Sequence, residues 1–342
     1  MKKGYPTRLC GTFGTSGLRR QPSGRERGLS LVELMVALVL GLLTSAAALS
    51  MYLANRNAYN ANQGLSEVQS SIRTAFEFMA DDIRHAGNTP CGNVVGGSRV
   101  ANVVNDAASI WWESLANPVL GYDGNDPGLT SGTGATQQVA GTSSLQLVGV
   151  EGTPAALAAN QTSASFTLNA AAPRWANGDL LVVCDLDHAA VFQLGGGAGT
   201  ATLSYANGGT PGNCSTGLGL PTTCDGGDGT PYSYVANSQI DRLAAADWYI
   251  GHNPAGGRSL YRLTLRDGAM VPDEIVRGAT AMTLSYLVSG AFVSAAAVTD
   301  WTQVTAVQIQ LTVQGANAHA GTDAKPIQRS FTSTVTLRNR VG

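Results

Sequence analysis

Few residues in this chain have the type and spacing to do chemistry. Four histidines, His85, His188, His252 and His319, are spread over 342 residues, and none sits in an H-E-x-x-H pattern. There is no G-x-S-x-G elbow, phosphate-binding loop or dinucleotide fingerprint. The densest group is Cys184-Asp185-Leu186-Asp187-His188. It offers metal ligands or an acid–base pair, yet reads better as a strand end and polar turn. The loops Asp123–Asp126 and Asp225–Asp228 carry oxygen ligands of the kind Ca²⁺ takes. Neither has EF-hand spacing, and Asx-rich turns form without a metal. Of five cysteines, Cys10 lies in the basic head, while Cys91, Cys184, Cys214 and Cys224 lie in the body. No C-x2-C pair exists, which argues against zinc. An even number in an exported body suggests two disulfides. Three pairings are possible; the short Cys214–Cys224 loop is favoured, leaving Cys91 for Cys184. Trp111, Trp112, Trp175, Trp248 and Trp301 are scattered and read as core or interface residues. The expectation is a protein without catalytic residues, cofactor or metal centre.

The most pointed signal lies near the amino terminus, in Gly28-Leu29-Ser30-Leu31-Val32-Glu33-Leu34. From Leu34 to Asn55 the chain has no charge, and that length suffices to span a bilayer core as helix. Glu33 stands at the start of this run. A carboxylate near hydrocarbon costs roughly 2.5–3.5 kcal/mol and marks function by default. Residues 1–28 hold seven basic groups and one acidic group, +6; the remaining 14 basic and 22 acidic groups give −8. The positive-inside rule therefore puts 1–28 in the cytoplasm and the body outside. A plain signal anchor fits this. So does a secretory signal cut after Ala48, with Leu49 as the first mature residue. Neither has a use for Glu33.

The string Gly28 to Leu34 resembles the type IV prepilin cleavage site. The resemblance implies that a prepilin peptidase cuts after Gly28, and that Leu29 becomes the first, N-methylated residue. The apolar segment is kept. Glu33, fifth in the mature chain, then pairs with a neighbour's amino terminus and sets the register of an incoming subunit. The leader is long, and Leu29 stands where phenylalanine is commoner.

Beyond Leu53 the pattern turns amphipathic. Val68, Ile72, Ala75, Phe76, Met79 and Ile83 follow spacings of three and four, with Glu67, Arg73, Glu77, Asp81 and Arg84 on other faces. A helix over about 30–86 is expected, roughly 85 Å long. It is capped by Gly87 before Pro90, and loosened near Gly64 and its neighbouring asparagines. The runs 29–43, Asn55-Arg56-Asn57-Ala58-Tyr59 and Phe76 to Gly87, followed by Cys91, look like the PilW family of minor pilins. So do Ser259-Leu260-Tyr261-Arg262, Glu274 to Gly278 before Leu284-Ser285-Tyr286, and Thr334 to Asn339. The likeness is firm over 29–91, patchy over 230–342 and absent over 92–229.

Past residue 90 short β-like runs follow, separated by Gly, Asn, Asp and Pro clusters. They cover 145–150, 165–168, 180–184, 190–194, 202–205, 232–236, 260–265, 282–288, 304–313 and 331–337. The fold class is therefore α+β and pilin-like. A long N-terminal helix, transmembrane in its first half and amphipathic in its second, packs on a mainly antiparallel β domain. The parts are a cleaved basic leader (1–28), a membrane or filament-core helix (29–54), an amphipathic half (55–87) and a β-rich periplasmic domain (88–342).

Only 13% of residues are charged, and 21 Lys and Arg face 23 Asp and Glu, so a dominating basic surface for nucleic acid is excluded. The resemblance implies a minor pilin that helps initiate and assemble type IV pili, with twitching motility and adhesion downstream. It implies as partners prepilin peptidase, other minor pilins, the major pilin and the inner-membrane assembly machinery. It also implies a single membrane pass before transfer to the pilus. Two alternatives stay open: a J-like minor pseudopilin of type II secretion, and a secreted binding protein with a ligand surface in 92–229.

Overall fold

No proline interrupts residues 29–85, so no helical backbone donor is lost there. The computed structural model describes residue 28 and residues 30–340, apart from 94–98, 108, 114, 116, 125, 172–174, 267–268 and 322–324. The basic leader with Cys10, and Leu29, lie outside the described residues. A single helix, α1, spans Leu31–His85. The chain divides into two compact units, residues 1–56 and 57–342, and α1 contributes to both.

In the second unit α1 buries the stripe Gly64, Val68, Ile72, Ala75, Met79, Ala80 and Ile83. Each Val, Ile or Met so buried contributes roughly 1.5–3 kcal/mol relative to exposure. The loosening expected at Gly64 does not occur. A methyl group there would meet Ala320 Cβ at 3.5 Å and Ile327 Cδ1 at 3.6 Å. These are ordinary contact distances; Gly64 is buried in the α1 stripe, and burial of the stripe outweighs its weak helix propensity. At the other end Gly87 is left-handed (φ 75°) and donates its N–H to the Val148 carbonyl at 2.8 Å, so the chain turns onto the sheet.

The strands among the described residues are β1 Asn88–Thr89, β2 Gly92–Asn93, β3 Val100–Asn102, β4 Val119–Tyr122, β5 Ser144–Ala156, β6 Ser165–Thr167, β7 Leu180–Cys184 and β8 Ala189–Gln193. They continue as β9 Thr202–Ser204, β10 Gln239–His252, β11 Arg258–Arg266, β12 Ala269–Arg277, β13 Ala279–Val288, β14 Ala291–Val293, β15 Ala306–Gln314 and β16 Gln328–Thr336. The larger sheet runs β12-β11-β10-β7-β8-β3, with β5 also on β10 and β4 on β5. The second runs β14-β13-β15-β16. Pairing is antiparallel except for β3 with β8. One apolar cluster joins the α1 stripe to residues of both sheets, Leu147, Trp248 and Leu260 from the first and Leu284, Ile309 and Val335 from the second.

Two expectations fail. The run 232–236 is not a strand: side chains satisfy its backbone, Gln161 Oε1 accepting from Tyr234 N and Asn160 Oδ1 from Ala236 N. The longest strand, β10, lies where no run was expected. Asp241, Arg242 and Asp247 interrupt its apolar pattern, although Asp241 and Asp247 are buried. The disulfides join Cys91 to Cys184 and Cys214 to Cys224.

Candidate functional site at the amino-terminal helix

Ser30 is the last non-helical residue before α1. Its carbonyl accepts the first intrahelical bond, from Leu34 N at 3.2 Å. Its Oγ accepts from Glu33 N at 3.2 Å, and its own N–H donates to Glu33 Oε2 at 3.0 Å. This reciprocal pair is a capping box, which supplies partners for two donors that a helix start otherwise leaves bare. The Ser-x-x-Glu pattern that signals it is plain in the sequence. Glu33 thus has a bond within its own chain, beyond any partner it meets elsewhere. Gly28 is exposed and non-helical, two residues before the box.

From Leu31 to Leu53 the large apolar side chains face outward: Leu31 is 75% exposed and Leu42 70%. The helix is long and apolar enough here to cross a membrane. Glu33, Leu34, Ala37, Leu38, Gly41, Leu42 and Ser45 border a shallow groove on one face. Ala37, Gly41 and Ser45 recur every fourth residue along it, the spacing that lets helix backbones approach closely.

In the 57–342 unit the polar groups serve the fold. Trp248 and Arg262 face each other across β10 and β11. Both reach Asp82 of α1. Arg262 donates from Nε (2.8 Å) and Nη2 (2.6 Å), and Trp248 from Nε1 (2.8 Å). Burial raises the Asp82 carboxyl pKa, against the lowering effect of Arg262 and Trp248. The sequence did not single out this triple contact.

The Asp123–Asp126 loop, weighed above for Ca²⁺, turns inward; its residue 125 lies outside the described residues. Asp126 accepts from Gly128 N, Ser144 Oγ and Gln146 Nε2 at 2.6–2.7 Å. Next to it Asp247 is fully buried, and burial followed by the Asp126 charge drives its pKa well up. Asp225 accepts from Gly227 N within its own turn. Asp185 accepts from Asp187 N and His188 N at 2.9 Å and from Tyr232 at 2.7 Å, while His188 Nε2 lies 2.6 Å from the Leu218 carbonyl. The Cys184–His188 group is a pinned hairpin turn, with Cys184 in a disulfide. An open cavity of about 770 Å³ borders Asp81, Asp82, His85, Glu151, Asp241 and Arg262. Among the described residues no three of His, Cys, Asp and Glu converge to hold a metal ion.

The family profile of the prokaryotic N-terminal methylation motif matches residues 23–49. It covers Gly28, Leu29, the capping box and most of the apolar run. The motif marks a type IV pilin-like or pseudopilin-like protein, a class whose prepilin signal implies processing by prepilin peptidase and a membrane-anchored assembly machinery. No curated protein and no solved structure matches the chain.

Proposed function

We propose that this chain is a PilW-like minor pilin that takes part in initiating and assembling type IV pili by subunit packing, without catalysis. The observation that carries the reading is the methylation motif over 23–49, set directly on an apolar helix that is exposed among the described residues of its unit. Prepilin peptidase cuts between Gly28 and Leu29 on the cytoplasmic side, and Leu29 is then methylated. Residues 29–54 hold the subunit in the inner membrane, with the β-rich body in the periplasm. The same segment later packs among the helices of other minor pilins and the major pilin. Glu33 meets a neighbour's amino terminus there and sets register. The groove along Ala37, Gly41 and Ser45 is where a second helix comes closest.

The test is mass spectrometry of the mature amino terminus from the native host, combined with a deletion strain. A methylated Leu29 together with lost piliation supports the proposal. Lost type II secretion with normal pili assigns the chain to a pseudopilus. A product beginning at Leu49 removes Glu33 and the span together and refutes both.

A further inference from the structure

The open cavity of about 770 Å³ lies wholly within the 57–342 unit and falls in the range, roughly 300–1,000 Å³, that takes a small ligand. Four acids border it: Asp81 and Asp82 from the end of α1, Glu151 from β5 and Asp241 from β10. Three of them are answered by cations of the same chain. Asp82 has Arg262, Glu151 has its cross-strand neighbour Arg242, and the exposed Asp81 has His85 at 3.5 Å. Asp241 is the exception. It is only 3% exposed, yet among the described residues the sole donor to its side chain is the Arg242 N–H, which reaches Oδ1 at 2.8 Å. Its Oδ2 accepts none. The register of β10 on β5 slips between Ile240 and Arg242, and a bulge of this kind re-aims the side chain it carries. The facing strand leaves that carboxylate uncovered: Gly152 has φ 121°, and a Cβ there would stand 3.1 Å from Asp241 Oδ1. Burial raises the Asp241 pKa to about 6, with the Glu151 charge adding to the rise and Arg242 opposing it. At pH 7.5 the group is still mostly ionised. A buried carboxylate in this state is short of a cation.

We propose that this cavity binds an alkylammonium group, which Asp241 receives through its open oxygen. Val150, Pro154 and Ala244 border the same space and offer apolar surface to the alkyl chain. A metal ion fits less well, because no three of His, Cys, Asp and Glu converge among the described residues. An ammonium needs fewer oxygens and gains a charge-assisted hydrogen bond from one carboxylate. A lysine side chain of a partner protein and a free diamine share this chemistry. The site belongs to the body and is independent of how the amino terminus is processed.

The test uses the full-length protein in an uncharged detergent at pH 7.5, titrated with three probes and followed by ligand-observed NMR. The probes are Nα-acetyl-lysine amide, 1,4-diaminobutane and the uncharged comparator Nα-acetyl-norleucine amide. Both amines bind with Kd of roughly 1 mM, the strength one charge-assisted contact and a short apolar wall supply. The norleucine probe binds at least about 10-fold more weakly. Asp241→Asn, which keeps the side-chain shape, weakens both amines at least about 10-fold, with thermal unfolding to show the body intact. Tighter binding of the lysine probe supports the proposal with a protein side chain as occupant, and tighter binding of the diamine supports it with a free amine. Norleucine amide bound as well as lysine amide overturns the proposal on the wild-type protein alone. So does an Asp241→Asn protein that binds both amines as the wild type does, or a wild type that binds neither.

Discussion

Arg262→Met removes the cation beside a carboxylate that the fold has already half-desolvated. The Asp82 side chain is only 12% exposed and that of Arg262 25%. Burial outweighs the guanidinium even in the native pair, since the Asp82 pKa stands above its ordinary 3.8. Without Arg262 the remaining donor is Trp248 Nε1. Breaking a buried pair by deleting one partner costs about 3–5 kcal/mol. The carboxyl has an escape, which is to take a proton. Neutralising a group of ordinary pKa 3.8 costs about 4 kcal/mol at pH 7 and about 2 kcal/mol at pH 5. Protonation thus limits the damage, and the limit falls with pH. Thermal unfolding of the full-length protein in detergent, followed by circular dichroism, reads this out. At about 2–4 °C per kcal/mol, Tm should fall about 8–15 °C at pH 7 and clearly less at pH 5. Asp82→Asn should cost less, because Arg262 lies nearer the surface and keeps access to water. The double replacement Asp82→Leu with Arg262→Met should return to within about 2 kcal/mol of wild type, as apolar substitutes for buried pairs do. A deficit in Arg262→Met below about 1 kcal/mol, or one equal at the two pH values, would refute the reasoning.

Asp247→Asn should stabilise the body at neutral pH and reduce its pH dependence. Burial raises the Asp247 pKa well above its ordinary 3.8, so the fold keeps a proton that the unfolded chain loses, and wild-type stability falls as pH rises through that window. Denaturant titrations at pH 5 and pH 7 measure the slope, which should be shallower in the variant. Asp241, raised to about 6 mainly by burial, and Glu113, raised to about 7 mainly by burial, act in the same direction until pH passes those values. Cys91→Ser with Cys184→Ser should cost about 4–5 kcal/mol, because that bridge closes a loop with a sequence separation of 93; an unchanged Tm relative to the oxidised wild type would contradict it. Gly28→Val should leave the precursor uncut on immunoblots, and a normally processed band would remove the cleavage-site assignment. Glu33→Ala should be inserted and largely cut yet fail to restore piliation in a deletion strain, and full piliation would count against its role in register.

What the sequence disclosed depended on whether the physics was local. The α1 stripe at 68–83 was legible because burial follows the 3.6-residue period, and Val68, Ile72, Ala75, Met79 and Ile83 are all buried. β15 was legible because Val307, Ile309, Leu311 and Val313 alternate with polar residues. β10 was not. Its buried face includes Asp241 and Asp247, which no local pattern marks as interior, and the partner of Asp247, Gln146, comes from a distant strand. Arg262 and Asp82 are 180 residues apart, and no spacing rule connects them. Tyr232–Ala236 misled for the opposite reason: its aromatic residues read as strand, while side chains of Asn160 and Gln161 took the place of a partner strand. The amino-terminal site is the contrary case. Gly28, Ser30 and Glu33 lie within six residues, so the prepilin-like pattern could be read in order along the chain, whereas the Ser30–Glu33 cap, equally local, was passed over.

The same locality accounts for how the apolar segment can exist alone and still be made for company. Two of its hydroxyls bond within the helix: the Thr44 hydroxyl donates to the Gly41 carbonyl at 3.0 Å and the Ser50 hydroxyl to the Ala47 carbonyl at 2.8 Å. The capping box supplies partners for two donors at the start of the helix, Ser30 N and Glu33 N. Such a segment meets the requirement for entering hydrocarbon, where an unpaired donor finds no water. Its exposed leucines and valines have no cover within their own unit, so an apolar environment must come from outside, as lipid or as other helices. Glu33 is the group with capacity left over. A carboxylate has about four acceptor sites, and the capping bond engages Oε2 alone. The segment can therefore insert with its helical backbone bonded internally and still offer one anionic oxygen to a cation. Under the proposed processing after Gly28, the amino group freed on a neighbouring helix is such a cation.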